Sequence, residues 1–263
     1  MNYALLSCLS FGVGILVGLT GIGGASLITP MLIMVFKVPV AIAVSSDVVA
    51  ATLMKVVGGV KHWRQKTLDL QVVKWLALGS VPGALSGVGV FQVMRGSWSE
   101  EWNSLLLHLL GGMILLVTIV GLMQLILSTF FPQVQLPLLP HFDLNTWAGR
   151  GATLAIGSSL GFLVGLTSVS SGSMFALVLM AFFQLDTRKL VGTDISQAAI
   201  LLSFTSLGHL SLGTVDWGVV TAIWLGSVPG VLVGAKLCQW MPQRPLKALL
   251  YSILMIVSWK LVL

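Results

Sequence analysis

When the chain is shifted against itself by 147 residues, Gly14–Gly87 falls on Gly161–Gly234 without a gap, and 25 of the 74 aligned positions are identical. Apolar runs match one another by chance, but polar residues do not fall into one register that way. Leu16-Val17-Gly18-Leu19-Thr20 recurs as Leu163-Val164-Gly165-Leu166-Thr167, and Gly79-Ser80-Val81-Pro82-Gly83 as Gly226-Ser227-Val228-Pro229-Gly230. Asp47, His62, Thr67 and Asp69 recur as Asp194, His209, Thr214 and Asp216. The chain reads as a tandem duplication, so one half constrains the fold of the other.

Hydropathy identifies the duplicated unit. A helix crossing roughly 30 Å of hydrocarbon needs about 20 mostly apolar residues. Ten such segments fill the chain, near 3–20, 22–38, 41–60, 70–93, 104–131, 147–167, 169–185, 190–210, 217–240 and 246–263. Charged residues make up 8% of the chain, against about 25% in soluble domains, which excludes an ordinary soluble globule. The expected fold is an all-α integral membrane protein with two inverted-topology repeats of about five segments each, giving 8–10 transmembrane helices. Residues 1–131 form the N-terminal repeat, 132–146 the connecting loop, and 147–263 the C-terminal repeat. The first segment lacks a basic leader region and an A-x-A site, so it reads as a retained helix.

Five is an odd number, so the second half must enter the bilayer upside down relative to the first. Short cytoplasmic loops collect Lys and Arg, and inversion therefore predicts that basic residues change places between equivalent loops. They do so here. Lys61, Arg64 and Lys66 follow the third segment, where the eighth is followed by Gly208, Ser211 and Gly213. Arg188 and Lys189 follow the seventh, against Lys37 alone after the second. This bias puts both termini outside. Segments one and two, like six and seven, are close enough together to be either two full spans or a re-entrant hairpin; the inversion survives either choice.

Non-helical backbone at membrane depth is tolerated where protein or water satisfies its polar groups, and matched breaks in two inverted halves point to a shared cavity. The breaks carry Gly21, Gly23 and Gly24 in one half and Ser168, Ser170, Ser171 and Gly172 in the other. Helix N-termini after such breaks suit an anion; close helix contact through small residues is the structural alternative. Ser45, Ser46 and Thr193 add hydroxyls beside Asp47 and Asp194. An acid at that depth marks an ion path or proton relay, the alternative being a cap on an interrupted helix. Lys55 can attract an anion or snorkel to the interface; at eight helical steps, about 12 Å, it is too far along to pair with Asp47. His62 and His209 read as interfacial residues on opposite faces, and His108 as buried against a partner. Trp63, Trp147, Trp217 and Trp240 read as interface anchors, and Pro82 and Pro229 as symmetric kinks.

Other chemistry finds no motif. Cys8 and Cys238 lie in apolar segments, the basic residues form no groove-lining run, and no Walker loop, nucleophile–His–acid set or metal-ligand cluster occurs. No cofactor, metal or nucleic acid is expected.

The Gly21-Ile22-Gly23-Gly24 turn with Pro30, the Ser45-Ser46-Asp47 and Gly192-Thr193-Asp194 signatures, the His62-Trp63-Arg64-Gln65 loop with Thr67 and Asp69, and the repeated Gly79–Gly83 motif resemble the TauE/SafE sulfite-exporter-like permeases, also called the toluene sulfonate uptake permeases. The resemblance covers nearly the whole chain. It implies a bacterial inner-membrane carrier of small sulfur-containing anions such as sulfite, thiosulfate or organosulfonates, driven by protons. Gly21, Gly23, Gly24, Ser45, Ser46, Ser168, Ser170, Ser171, Gly172, Thr193 and Lys55 are the expected substrate-binding residues, and Asp47 and Asp194 the expected proton-coupling pair. The chain departs from the family pattern where Ser168, Ser170 and Ser171 replace glycines. A membrane-embedded binding or assembly partner with no transport cycle is the competing class.

Overall fold

The computed structural model describes residues 1–20, 25–96, 100–130, 142–168, 173–183, 185, 187–237 and 243–262. Its helices are α1 (Tyr3–Thr20), α2 (Ala25–Met34), α3 (Val40–Arg64), α4 (Leu70–Gly96), α5 (Glu100–Phe130), α6 (Trp147–Thr167), α7 (Ser173–Phe182), α8 (Thr187–Ser211), α9 (Trp217–Leu237) and α10 (Gln243–Val262). No strand occurs among the described residues. Helices α3, α4, α5, α8 and α9 are long and apolar enough to cross a membrane, and α1 and α10 contribute shorter apolar helices. Leu78, Leu85, Leu225, Leu232 and Ile256 are exposed on their outer faces. A surface of that kind is stable against lipid tails and not against water.

Among the described residues of the 22–38 and 169–185 segments, α2 and α7 are helices of ten residues each. At 1.5 Å per residue each is about 15 Å long, half the hydrocarbon depth. The end of α2 has a local cause. Lys37 takes a left-handed backbone, with φ 53°, the Val38 N–H returns to the Leu32 carbonyl at 3.0 Å, and Pro39 follows, which resists continuation of a helix from its N-terminal side.

Apolar helices gain little by association in lipid, so contact depends on how closely backbones approach. Glycines spaced by four provide that approach twice. Gly79, Gly83 and Gly87 of α4 lie against the carbonyls of Leu154, Ser158 and Phe162 on α6, while Gly226, Gly230 and Gly234 of α9 lie against those of Ser7, Phe11 and Ile15 on α1. A Cβ at any of the six would collide with backbone. Residue numbers rise together in both pairs, so α4 and α6 run parallel, as do α1 and α9. The two contacts are related by the 147-residue shift.

Helices α3 and α8 are counterparts under the same shift, and they run antiparallel. Ser45 meets His209 at 3.0 Å, Thr52 Oγ1 donates to the Leu202 carbonyl at 3.1 Å, and Gly59 faces Ala199. Two apolar clusters correspond as well: Ile28, Leu32, Val219 and Ile223 in one take the places of Phe175, Leu179, Val72 and Leu76 in the other. The α3–α8 crossing gathers Ser45, Ser46, Asp47, Thr193, Asp194, Gln197 and His209, all buried, so the candidate site lies there.

Candidate functional site

The crossing is held by a reciprocal pair of hydrogen bonds. Ser46 Oγ accepts the backbone N–H of Asp216 at 3.0 Å, and Thr193 Oγ1 accepts that of Asp69 at 2.9 Å. Asp216 and Asp69 stand just ahead of α9 and α4 and cap them, each taking two N–H groups of the first turn. Helices α3 and α8 run unbroken through Ser46 and Thr193, so these residues cap no interruption of their own helix. Each hydroxyl instead fixes the start of the other half's fourth helix.

Ser45 does comparable work in the second half. Its Oγ lies 3.0 Å from His209 Nδ1 and 2.7 Å from Thr214 Oγ1. The counterpart of Ser45 is Gly192, whose Cβ would strike the Thr67 carbonyl; there His62 Nδ1 meets Thr67 Oγ1 directly at 2.7 Å. One half closes the His–Thr contact and the other wedges a serine into it. His209 is fully buried, with Nε2 3.1 Å from the Gly165 carbonyl and Phe91 edge-on at 5.1 Å. The interfacial reading of His209 is corrected accordingly: the inter-helix contact encloses a ring that the loop sequence alone leaves at a surface. His108 is corrected in the opposite sense. It is exposed, and its Nδ1 lies 2.6 Å from the Ser104 carbonyl one turn back.

Asp47 and Asp194 occupy unlike settings. Asp47 is fully buried and accepts from Thr29 Oγ1 of α2 and, at 3.1 Å, from Ser168 Oγ at the end of α6. Its Oδ1 is buried with no hydrogen-bond partner. The carboxylate thereby joins α2 and α3 of the first half to α6 of the second through hydroxyls alone. Asp194, also buried, lies 3.7 Å from Lys55 Nζ. The counterparts of Thr29, Ser168 and Lys55 are Ala176, Gly21 and Leu202, so the duplication has diverged at these three positions. Ser168 is instructive because it caps α6 in the left-handed region, with φ 60°. That conformation costs an ordinary residue roughly 1–2 kcal/mol and glycine almost nothing. A serine held there supplies the hydroxyl that reaches Asp47.

Among the expected site residues, the structure brings Asp47 together with Ser168, and Lys55 with Asp194. Ser45, Ser46 and Thr193 are engaged in the interlock between halves. Gly21, Gly23, Gly24, Ser170, Ser171 and Gly172 lie outside the described residues. Sequence reading missed Thr29, since its counterpart is alanine and no repeat flags it. It also missed Gln197, buried on α8 with Nε2 donating to Ser80 Oγ at 2.9 Å. Among the described residues, no three His, Cys, Asp or Glu side chains converge as a metal set. The arrangement sets an ion pair, Lys55 with Asp194, and a hydroxyl-bound carboxylate, Asp47, between the halves.

Comparison with known proteins gives a consistent picture. The family model described as Sulfite exporter TauE/SafE matches residues 6–261. A Bacillus subtilis (strain 168) protein named "Probable membrane transporter protein YjnA" is 37% identical over 250 residues, covering 95% of this chain and 96% of its own. "Probable membrane transporter protein YdhB" of the same organism is 25% identical over 247 residues, covering 94% and 95% respectively. No solved structure matches.

Proposed function

Because this chain belongs to the TauE/SafE sulfite exporter family, and is therefore an integral membrane transporter, we propose that it carries small sulfur-containing anions such as sulfite, thiosulfate or organosulfonates by alternating access, coupled to protons. The two halves, 1–131 and 147–263, act as inverted repeats that rock about the α3–α8 crossing, with 132–146 as the tether. Their antiparallel equivalent helices and reciprocal Ser46–Asp216 and Thr193–Asp69 bonds support that reading. In the proposed arrangement both ends of the chain face outward from a bacterial inner membrane.

One observation carries the coupling role. Asp47 is a buried carboxylate gripped by hydroxyls from both halves and balanced by no cation among the described residues. An ionised carboxylate in that setting is expensive, and movement of the halves that changes its hydroxyl partners or its exposure changes its hold on a proton. Asp47 is thus the group that takes up and releases the coupling proton. Lys55 supplies the attraction for the anion, with Asp194 as its partner when substrate is absent. Gly21, Gly23, Gly24, Ser170, Ser171 and Gly172, which lie outside the described residues, stay candidates for contact with the anion's oxygens.

The test is flux. Purified protein in liposomes is expected to accumulate [³⁵S]sulfite, thiosulfate or sulfoacetate under an imposed pH gradient and to lose the accumulated label when a protonophore is added. Failure to move any of the three, with the protein shown to be folded, would overturn the reading in favour of a binding or assembly partner.

A further inference from the structure

Beside the candidate site, a groove of about 450 Å³ opens between the last turns of α3, the start of α4 and the middle of α8. We propose that it binds an anionic phospholipid, an acyl chain lying in the groove and the phosphate resting on Arg64.

The groove walls are hydrocarbon: Val56, Val60, Leu70, Val73, Ala199 and Ile200 line it. It opens among side chains exposed at the protein surface, with Val57 65% and Leu207 62% exposed nearby on the same two helices. In a membrane-spanning chain such a surface meets acyl tails. At one end stand Trp63 and Arg64, both lining the groove and both exposed, followed by exposed Lys66. An indole beside basic side chains at the end of a spanning helix is the arrangement that headgroup level selects. The acid closest along the chain, Asp69, is committed to the N–H groups of Gln71 and Val72.

The groove also holds a polar atom with nothing to bond. Ser196 lines it, is 8% exposed, and its Oγ is buried without a hydrogen-bond partner. A buried hydroxyl in that condition costs about 1–3 kcal/mol, and a glycerol ester oxygen entering the groove would satisfy it. By contrast Ser203, on the same wall, already donates to the Ala199 carbonyl at 2.7 Å.

The duplication provides an internal comparison. The counterparts of Trp63, Arg64 and Lys66 are Leu210, Ser211 and Gly213. The cationic, aromatic mouth therefore exists at one of the two equivalent ends, the one that the loop charge bias puts on the cytoplasmic side, where anionic headgroups meet basic side chains. The groove wall is the α3–α8 contact itself, where Gly59 faces Ala199 one turn from Lys55, so an occupant there bears on how the halves meet. The inference is independent of which substrate is carried.

The experiment is native mass spectrometry of the full chain in detergent, titrated with dioleoyl phosphatidylglycerol or dioleoyl phosphatidylcholine. One tightly held phosphatidylglycerol is expected, with phosphatidylcholine bound more weakly. Arg64→Gln and Lys66→Gln should each weaken phosphatidylglycerol retention about fivefold and leave phosphatidylcholine unchanged, while Ser196→Leu, which fills the groove, should reduce both. Thermal unfolding of each variant separates lost binding from lost fold, and the two surface variants should melt as the parent does. Equal retention of the two lipids by the parent, an undiminished preference in Arg64→Gln/Lys66→Gln, or equally effective displacement by inorganic phosphate would overturn the proposal.

Discussion

The Lys55 ammonium lies 3.7 Å from an Asp194 carboxylate oxygen, an ion pair that joins the two halves and that neither half can form alone, because the counterpart of Lys55 is Leu202. Both partners are largely buried, at 18% and 10% side-chain exposure. Removing one member of such a pair leaves an uncompensated charge, at a cost of about 3–5 kcal/mol, whereas removing both costs less. Lys55→Met and Asp194→Asn are each expected to lower the unfolding temperature in detergent, and the double variant to fall by clearly less than the sum. Simple additivity would mean that the two side chains do not interact.

Ser168 sets stability against activity. Its left-handed backbone favours glycine, while its hydroxyl holds Asp47. Ser168→Gly should leave the unfolding temperature unchanged or slightly raised, because relief of strain offsets the lost hydrogen bond. The same variant should lower proton-coupled sulfite uptake by about tenfold, the equivalent of one charge-assisted hydrogen bond of about 1.5 kcal/mol. Uptake at the parental rate would remove Ser168 from the site.

The glycine contacts predict paired effects. Gly83→Ala and Gly230→Ala place a Cβ against the carbonyls of Ser158 and Phe11, and overpacking of this kind costs about 1–3 kcal/mol. The two variants should be destabilised by similar amounts because the contacts are equivalent. Gly12→Ala and Gly89→Ala meet nothing within 4 Å and should be neutral or mildly stabilising, since alanine is the better helix former. Thermal unfolding of the four in one detergent makes the comparison.

Ser45→Ala should destabilise by about 1–3 kcal/mol, since His209 Nδ1 and Thr214 Oγ1 both lose their partner in a buried place. Ser45→Gly should recover little of that, because His209 would have to approach Thr214 as His62 approaches Thr67. Chemical denaturation of both variants, compared with His62→Ala at the half-buried counterpart, would show whether the serine wedge matters more than the direct contact.

Much of this was legible in the residues. The 147-residue register placed α3 on α8 to the residue, since Val40–Arg64 shifted by that amount is Thr187–Ser211, and the polar repeats within it mark the crossing. The repeated Gly79–Gly83 motif marks α4 and α9 as counterparts, but its sequence reading stops at the proline kink; that its glycines press on the carbonyls of α6 and α1 is seen only in the fold. What escaped was whatever depends on contact between halves. Nothing in the spacing of Ser46 or Thr193 tells that each hydroxyl binds the helix start of the opposite half, and a histidine near a helix end reads as interfacial until another helix covers it. Divergence between the halves, at Thr29, Ser168 and Lys55, carries the candidate chemistry, and a repeat comparison that searches for identity passes over such positions.

Proton movement accompanying the anion bears most directly on the role given to Asp47. Liposomes holding the protein and a trapped pH-sensitive dye are placed in a sulfite gradient, and internal pH is followed with membrane potential clamped. The parent should show a pH change that tracks sulfite flux, and Asp47→Asn, which is isosteric with the acid and keeps an oxygen for Thr29 and Ser168, should fold normally and show none. A pH change of parental size in Asp47→Asn would contradict the account.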